Sequence, residues 1–371
     1  MISPAKTLES RQTPEPLPAE GPNRLLNRRV VAADRGGPEV LTIVEEPLPE
    51  PAHGEVRVKI LATGVSYADL LMREGVHPET PHGPITLGWD LVGVVDKLGA
   101  GVGQYRVGEV VAALPMLGGY ADYACLRPGQ LVPVPDGVDP AEAVVMVLNY
   151  VTAYQMLHRS AQVQAEQKVL IHGAAGGIGT ALLQLGHLMA LTMYGTASSE
   201  KHGTVIKLGG IPIDYKNKDF VTEIGRLTHD GVDAVFDGVG GTHVWQSFKT
   251  LRRGGTVVSY GLTSSLRRGR LVSGPRYRFR GLLRPLLYAV VARSLQGRRR
   301  IRAYSIQRRM WRHPDWFRDD LTTLFKLLRE REIEPLIAAC LPLAKVKEAH
   351  NMLAGGVEGK IVLLCGYENA Q

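Results

Sequence analysis

The run His172-Gly-Ala-Ala-Gly-Gly-Ile-Gly179 constrains this chain more than any other feature. It follows a short apolar strand, Lys168-Val-Leu-Ile-His172, and precedes helical text over 180–191. That order puts free backbone N–H groups at a helix N-terminus, where the helix dipole favours an anion. Small residues are needed there because the pyrophosphate of a dinucleotide approaches the backbone closely. Gly176, Gly177 and Gly179 supply the room, and Ala175 and Ile178 complete the cofactor-facing turn. A tight turn that binds nothing would use the same glycines. The strand before and the helix after are what favour the dinucleotide.

Further strands are expected over 191–195, 232–236 and 255–260, alternating with helical stretches. Such βαβ text predicts an α/β class with a doubly wound parallel sheet. Residues 29 to 148 read differently. Short β-prone runs over 55–61, 91–95 and 109–112 are cut by Gly and Pro, which predicts a β-rich, barrel-like domain. Near the end, 320–331 and 341–354 read as helices, the second with Pro342 near its start, and 359–364 as a closing strand. At 371 residues the chain is too long for one ordinary core and fits two domains.

An NAD-preferring site places Asp or Glu about 20 residues past the glycines, against the ribose 2′-hydroxyl. That region here is Tyr194-Gly-Thr-Ala-Ser-Ser-Glu-Lys201. The hydroxyls of Thr196, Ser198 and Ser199 and the Lys201 cation suit a 2′-phosphate, and Glu200 lies past the strand tip. NADPH is the expected cofactor. The same polar residues could instead cap the following helix.

Composition excludes several classes. Apolar residues at 44% and charged residues at 22% describe a folded protein. Cys125, Cys340 and Cys365 are far apart, which excludes a disulfide framework and a Cys-rich zinc module and suits a reducing, cytoplasmic setting. No apolar run approaches the roughly 20 residues of a membrane span, and no signal-peptide core opens the chain. Residues 1–27 hold five prolines and no aromatics and read as a disordered tail. The net charge of +8 is local: residues 263–313 carry fifteen Arg and no acid, leaving −7 elsewhere. No nucleic-acid module accompanies that charge, so no nucleic-acid partner is expected.

Seven motifs resemble one family together. They are Gly64-Val-Ser-Tyr-Ala-Asp69, Gly88-Trp-Asp-Leu-Val-Gly-Val-Val95, Gly118-Gly-Tyr-Ala-Asp122, Asn149-Tyr-Val-Thr-Ala-Tyr154, Ala174-Ala-Gly-Gly-Ile-Gly179, Asp237-Gly-Val-Gly-Gly241 and Gly359-Lys-Ile-Val-Leu363. The chain resembles the medium-chain dehydrogenase/reductases, in particular the zinc-independent quinone oxidoreductases. The Asn149 motif also resembles the synaptic vesicle membrane branch. This implies a GroES-like β domain over 28–150 and 318–371. It also implies a Rossmann domain over 151–317 carrying an Arg-rich insert at 263–313. A homodimer with a small-molecule substrate is implied as well. Ser66 and Trp89 stand where zinc-dependent relatives carry Cys and His, so no metal is expected.

The resemblance also implies roles. Asn149 and Thr152 lie under the nicotinamide end, Tyr215 beside the 2′-phosphate, and Gly240 and Gly261 where the cofactor passes. Asp237 fixes its own turn. Lys360 either closes the cofactor cleft or is a surface lysine. Without a metal, hydride addition to a conjugated C=C or a quinone is easier than alcohol oxidation, and the enolate formed needs hydrogen-bond donors. Tyr67 is the first candidate donor and Asp69 an orienting acid. His77 is either the proton source or a surface-loop histidine. Commoner quinone reductases carry tyrosines where this chain has Leu71 and His77.

The Arg-rich stretch leaves three readings open: a lid favouring an anionic substrate, an interfacial element meeting acidic lipid, or a solvated helical excursion at a dimer edge. Two functions follow. One is an NADPH-dependent, zinc-free reductase of an activated double bond. The other is a nucleotide-binding membrane-edge or lipid-handling protein with little turnover.

Overall fold

The computed structural model describes residues 25–261, 264 and 298–366, and the backbone alone of 266–267 and 270–271. Much of the expected tail and the apolar stretch 282–293 lie outside the described residues. The tail ends earlier than expected. Leu26 and Asn27 already belong to β1 (Leu26–Ala32), where the Tyr123 amide donates to Asn27 Oδ1 at 2.9 Å.

β1 pairs with β2 (Leu41–Pro47) and β4 (Ile85–Thr86) in a three-stranded sheet. A second sheet is built on β3 (Val56–Val65), β5 (Leu91–Leu98), β6 (Val110–Ala113), β7 (Tyr123–Leu126) and β8 (Leu131–Pro133). β3 alternates buried and exposed residues at its start and is buried on both faces at its end. That change marks where the strand passes under the rest of the molecule.

A parallel sheet of order β11-β10-β9-β12-β13-β16 follows. Its strands are β9 (Lys168–His172), β10 (Thr192–Ala197), β11 (Ile211–Asp214), β12 (Val232–Asp237), β13 (Leu251–Ser259) and β16 (Arg300–Ala303). A small hairpin, β14 (Leu266–Arg267) with β15 (Arg270–Leu271), precedes β16. The chain leaves β9 toward β10 and returns on the other side at β12. The order therefore reverses between β9 and β12, and the crevice for a ligand lies above that point.

The chain end rejoins the first sheet. β18 (Lys360–Leu364) runs antiparallel to β3 and parallel to β17 (Ile337–Pro342). Two expectations change here. Leu341 and Pro342 end a strand rather than open a helix, because the helix starts only at Val346 and runs to Gly355. The helix expected over 320–331 spans Pro314–Arg329. Proline suits a first helical position, where no N–H is needed.

Part of the Arg-rich insert is sheet rather than excursion. Arg300–Ala303 pairs with Thr256–Ser259 as the sixth parallel strand. Arg302 Nη1 donates to the Ser160 carbonyl at 2.8 Å. The helix Pro314–Arg329 buries Phe317, Leu321, Leu324, Phe325 and Leu328, one apolar stripe at helical spacing. Asp320 interrupts that stripe. It accepts from Arg159 Nη2 at 2.5 Å, Arg159 Nε at 3.0 Å and Gln155 Nε2 at 2.8 Å. The Arg159 guanidinium also lies 4.2 Å from the Trp316 ring centroid. Removing one partner of such a buried pair strands the other, so Asp320→Ala should cost about 3 kcal/mol. Urea unfolding checks this, and a loss below about 1 kcal/mol would contradict it.

Candidate functional site

β9 ends at His172, and the helix Gly177–Leu188 starts after Gly176 with no side-chain cap on its first amides. Those donors face the crevice. A Cβ on Gly179 would overlap the Gly173 carbonyl, and one on Gly177 would overlap the Asn149 amide nitrogen. Glycine is thus fixed by close backbone approach at one position and by the cleft floor at the other. The Ala175 carbonyl accepts from the Gly359 amide at 2.9 Å, so the chain end is stitched to the turn. Ile178 packs against the main core from its partly buried position.

Asn149 sits in a π-helical turn, Met146–Tyr150, of a kind frequent at functional sites. Its Oδ1 lies 3.4 Å from Lys360 Nζ, which pairs with Asp90 Oδ2 at 3.0 Å. Lys360 is buried and is no surface lysine; it is an anchor beneath the cleft. Asp90 Oδ1 also accepts from the Gly64 amide at 2.7 Å. Burial raises the Asp90 pKa, and Lys360 opposes the rise. Thr152 is buried beside Tyr304, whose hydroxyl donates to Gln155 Oε1 at 3.0 Å.

Ser66 caps the helix Tyr67–Arg73 in a capping box with Asp69. Asp69 Oδ2 accepts from Ser66 Oγ at 2.6 Å, and Oδ1 accepts from the Gly88 amide at 2.9 Å. Burial pushes the Asp69 pKa up to about 6, although these bonds and Lys360 oppose it. Asp69 therefore holds the two loops that carry Ser66 and Trp89. The Tyr67 hydroxyl donates to the Leu353 carbonyl at 3.2 Å. Burial, with Tyr215 nearby, raises its pKa. His77 packs edge-on against Trp89 with centroids 5.3 Å apart, and Nδ1 accepts from the Glu79 amide at 3.3 Å. Burial lowers its pKa, so the ring is neutral near pH 7. It lies in the loop after the helix Tyr67–Arg73, half-buried against Trp89.

At the adenosine end Ser198 is buried, while Tyr215 is 55% exposed. Lys201 Nζ reaches to within 3.4 Å of where a Cβ on Gly356 would stand, and Thr204 Oγ1 bonds the Glu358 carboxylate. Asp237 Oδ1 accepts from the Val239 and Gly240 amides, each at 2.9 Å, so it shapes its own turn. Gly261 packs against the Gly238 carbonyl. Beneath lie His172, Asp237 and His243, whose candidate ligand atoms are within 4.8 Å of one another. Each is engaged in hydrogen bonds: Ser247 Oγ donates to Asp237 at 2.6 Å and lies 3.1 Å from His172 Nε2, and His243 Nδ1 is 3.0 Å from Asp237 Oδ2.

Known proteins resemble this chain in sequence and fold. The alcohol dehydrogenase GroES-like domain profile matches residues 52–136, and the zinc-binding dehydrogenase profile matches 210–363. The mouse synaptic vesicle membrane protein VAT-1 homologue is 31% identical over 350 residues, covering 92% of this chain and 84% of that protein. The rat quinone oxidoreductase is 30% identical over 246 residues, covering 65% of this chain and 75% of that protein. The solved Escherichia coli quinone oxidoreductase, complexed with NADPH, superposes with a TM-score of 0.78 at 26% identity, covering 91% of this chain and 99% of that one.

The chain belongs to the medium-chain dehydrogenase/reductase superfamily of oxidoreductases. The superfamily resemblance did not point to Asp90, although a lone acid in an apolar strand start demands a buried partner. A second network also went unread. Arg73, fully buried, reaches His350 Nδ1 at 3.0 Å, and His350 Nε2 meets Tyr120 OH at 3.2 Å. Burial, with Arg73 beside it, drives the His350 pKa down to about 3, and burial does the same to His172. Below about pH 6.5 the unfolded imidazoles bind protons that the folded ones refuse. Stability should therefore fall on acidification from pH 6.5, by about 1.4 kcal/mol per unit for each histidine. Asp69 acts oppositely between about pH 4 and 6, staying protonated when folded. His350→Gln should flatten the pH slope of denaturant unfolding by about 1.4 kcal/mol per unit, and an unchanged slope would contradict this assignment.

Proposed function

We propose that this chain is an NADPH-dependent, zinc-free reductase that adds hydride to an activated C=C bond of an enone, a quinone or a related metabolite. The observation that carries this reading is the uncapped helix N-terminus at Gly176–Gly177. It opens onto a floor made by Asn149 and Lys360 and is rimmed by Ser198, Lys201 and Tyr215. When bound, the nicotinamide supplies the hydride from C4. The turn amides hold the pyrophosphate, Asn149 and Thr152 orient the nicotinamide end, and the Lys201 cation faces the 2′-phosphate. Ala175, Gly240 and Gly261 let the cofactor backbone pass.

Zinc chemistry is disfavoured by the donor set. Ser66 Oγ is spent on Asp69, and Trp89 offers no ligand atom. The negative charge developing on the substrate oxygen then needs a hydrogen-bond donor, and Tyr67 supplies it on leaving the Leu353 carbonyl. Neutral His77 is a donor within the same loop region rather than a strong acid.

We place the enzyme in the cytoplasm as a homodimer. Among the described residues no strand pairs the outer edge of β16, which leaves that edge for a second copy. No helix among the described residues is long and apolar enough to cross a membrane. A second reading, peripheral membrane contact, draws on Trp311. It is 82% exposed on the helix Ile306–Arg312, which also carries Arg308, Arg309 and Arg312.

Fluorescence titration should show NADPH binding well above NADH, and Lys201→Ala should weaken NADPH about 10- to 150-fold, the worth of a charge-assisted contact. Equal affinities in the wild type would refute this preference. Tyr67→Phe should lower kcat about 10²–10³-fold against an enone or quinone panel, with KM little changed. A shift in KM alone would reduce Tyr67 to a pocket wall. Vesicle binding with no NADPH oxidation on any acceptor would favour the second reading.

A further inference from the structure

The pocket proposed for the 2′-phosphate holds a competing anion of the chain's own. Ser198 caps the short turn Ser199–Lys201 from a buried position at the tip of β10. Glu200 is exposed, yet its carboxylate folds back onto this pocket. Lys216 Nζ lies 3.1 Å from Glu200 Oε1, across from β11 and next to Tyr215. The nearby Ser198 hydroxyl and the Lys216 ion pair hold its pKa down to about 2. The carboxylate is thus charged at any working pH. Across the cleft a second acid, Glu358, takes the Thr204 hydroxyl, so Lys201 and Lys216 are nearly balanced by Glu200 and Glu358.

A 2′-phosphate carries nearly two negative charges and seeks the same cation, Lys216, that Glu200 already holds. A ribose 2′-hydroxyl carries none and can donate to a carboxylate. We infer that Glu200 is a specificity residue: it holds the Lys216 ammonium in place of the 2′-phosphate, so that NADPH must displace it while NADH need not. This rests on the dinucleotide reading above and sharpens it. The 2′-phosphate affinity of this chain is set by a contest between Glu200 and the cofactor for Lys216, and not by Lys201 and Tyr215 alone.

The test is Glu200→Gln, a change at an exposed side chain that keeps its size but removes the charge and with it the ion pair to Lys216. Dissociation constants for NADPH and NADH are measured by fluorescence titration on wild type, E200Q, K216A and the double variant. NADPH should tighten about 5- to 30-fold in E200Q, from lost repulsion and the freed ammonium, and NADH should stay within about twofold. K216A should weaken NADPH more in the E200Q background than in the wild type, because only there is the ammonium free for phosphate. Unchanged or weaker NADPH binding in E200Q overturns the inference and leaves the dinucleotide reading standing. Equal tightening of NADH overturns it too, since that would be general loosening of the loop. Wild type binding neither nucleotide would sink both.

Discussion

The buried Lys360 ammonium is the interaction on which the site depends. It reaches Asp90 at 3.0 Å and Asn149 at 3.4 Å, and so ties the last strand to the first domain and to the cofactor floor at one point. Neither charge could be buried alone, because stranding one in a low-dielectric interior costs several kcal/mol. The pair therefore forms only when β18 is in register beside β3. Once it is, Gly359 falls against the phosphate-binding turn and donates to the Ala175 carbonyl. The chain end, some 180 residues beyond the turn in sequence, becomes one wall of the nucleotide cleft.

The same logic runs through the other buried charges. Asp69, Asp320 and Asp237 are each buried and each accept several N–H or O–H donors. Each joins elements far apart in the chain or fixes a turn at the mouth of the cleft. Asp320 locks the helix Pro314–Arg329 onto the π-helical turn Met156–Ala161, next to the one that carries Asn149. Satisfied polar groups in a core specify one arrangement where apolar contacts would tolerate many, and they act here at the joints between the domains.

What the sequence revealed was local. The turn 172–179 was readable because strand, glycines and helix lie within about twenty residues and each choice has its own physical reason. The Ser198–Lys201 tip was readable for the same reason. The Lys360–Asp90 pair was not, because the two residues are 270 positions apart and nothing in the neighbouring residues of either betrays the other. β16 was hidden for a different reason. Arg300-Ile-Arg-Ala303 presents two arginines where a buried parallel strand would carry valines, and charge outweighed alternation. An outer strand tolerates them: Arg300 is exposed, and Arg302 donates to the Ser160 carbonyl. Proline misled at residue 342, where it closes a strand before a short turn rather than opening a helix.

The Tyr67–Leu353 bond ties the helix Tyr67–Arg73 to the segment that walls the cleft. Leu353 belongs to the helix Val346–Gly355, whose following segment carries Gly356, Glu358 and Gly359 to Lys201, Thr204 and the phosphate turn. A nucleotide entering the crevice therefore meets the segment that also holds the Tyr67 hydroxyl. The donor assigned to the substrate oxygen and one wall of the nucleotide cleft thus hang on a single short segment, 353–360, and the return of the chain to its first sheet puts that segment there.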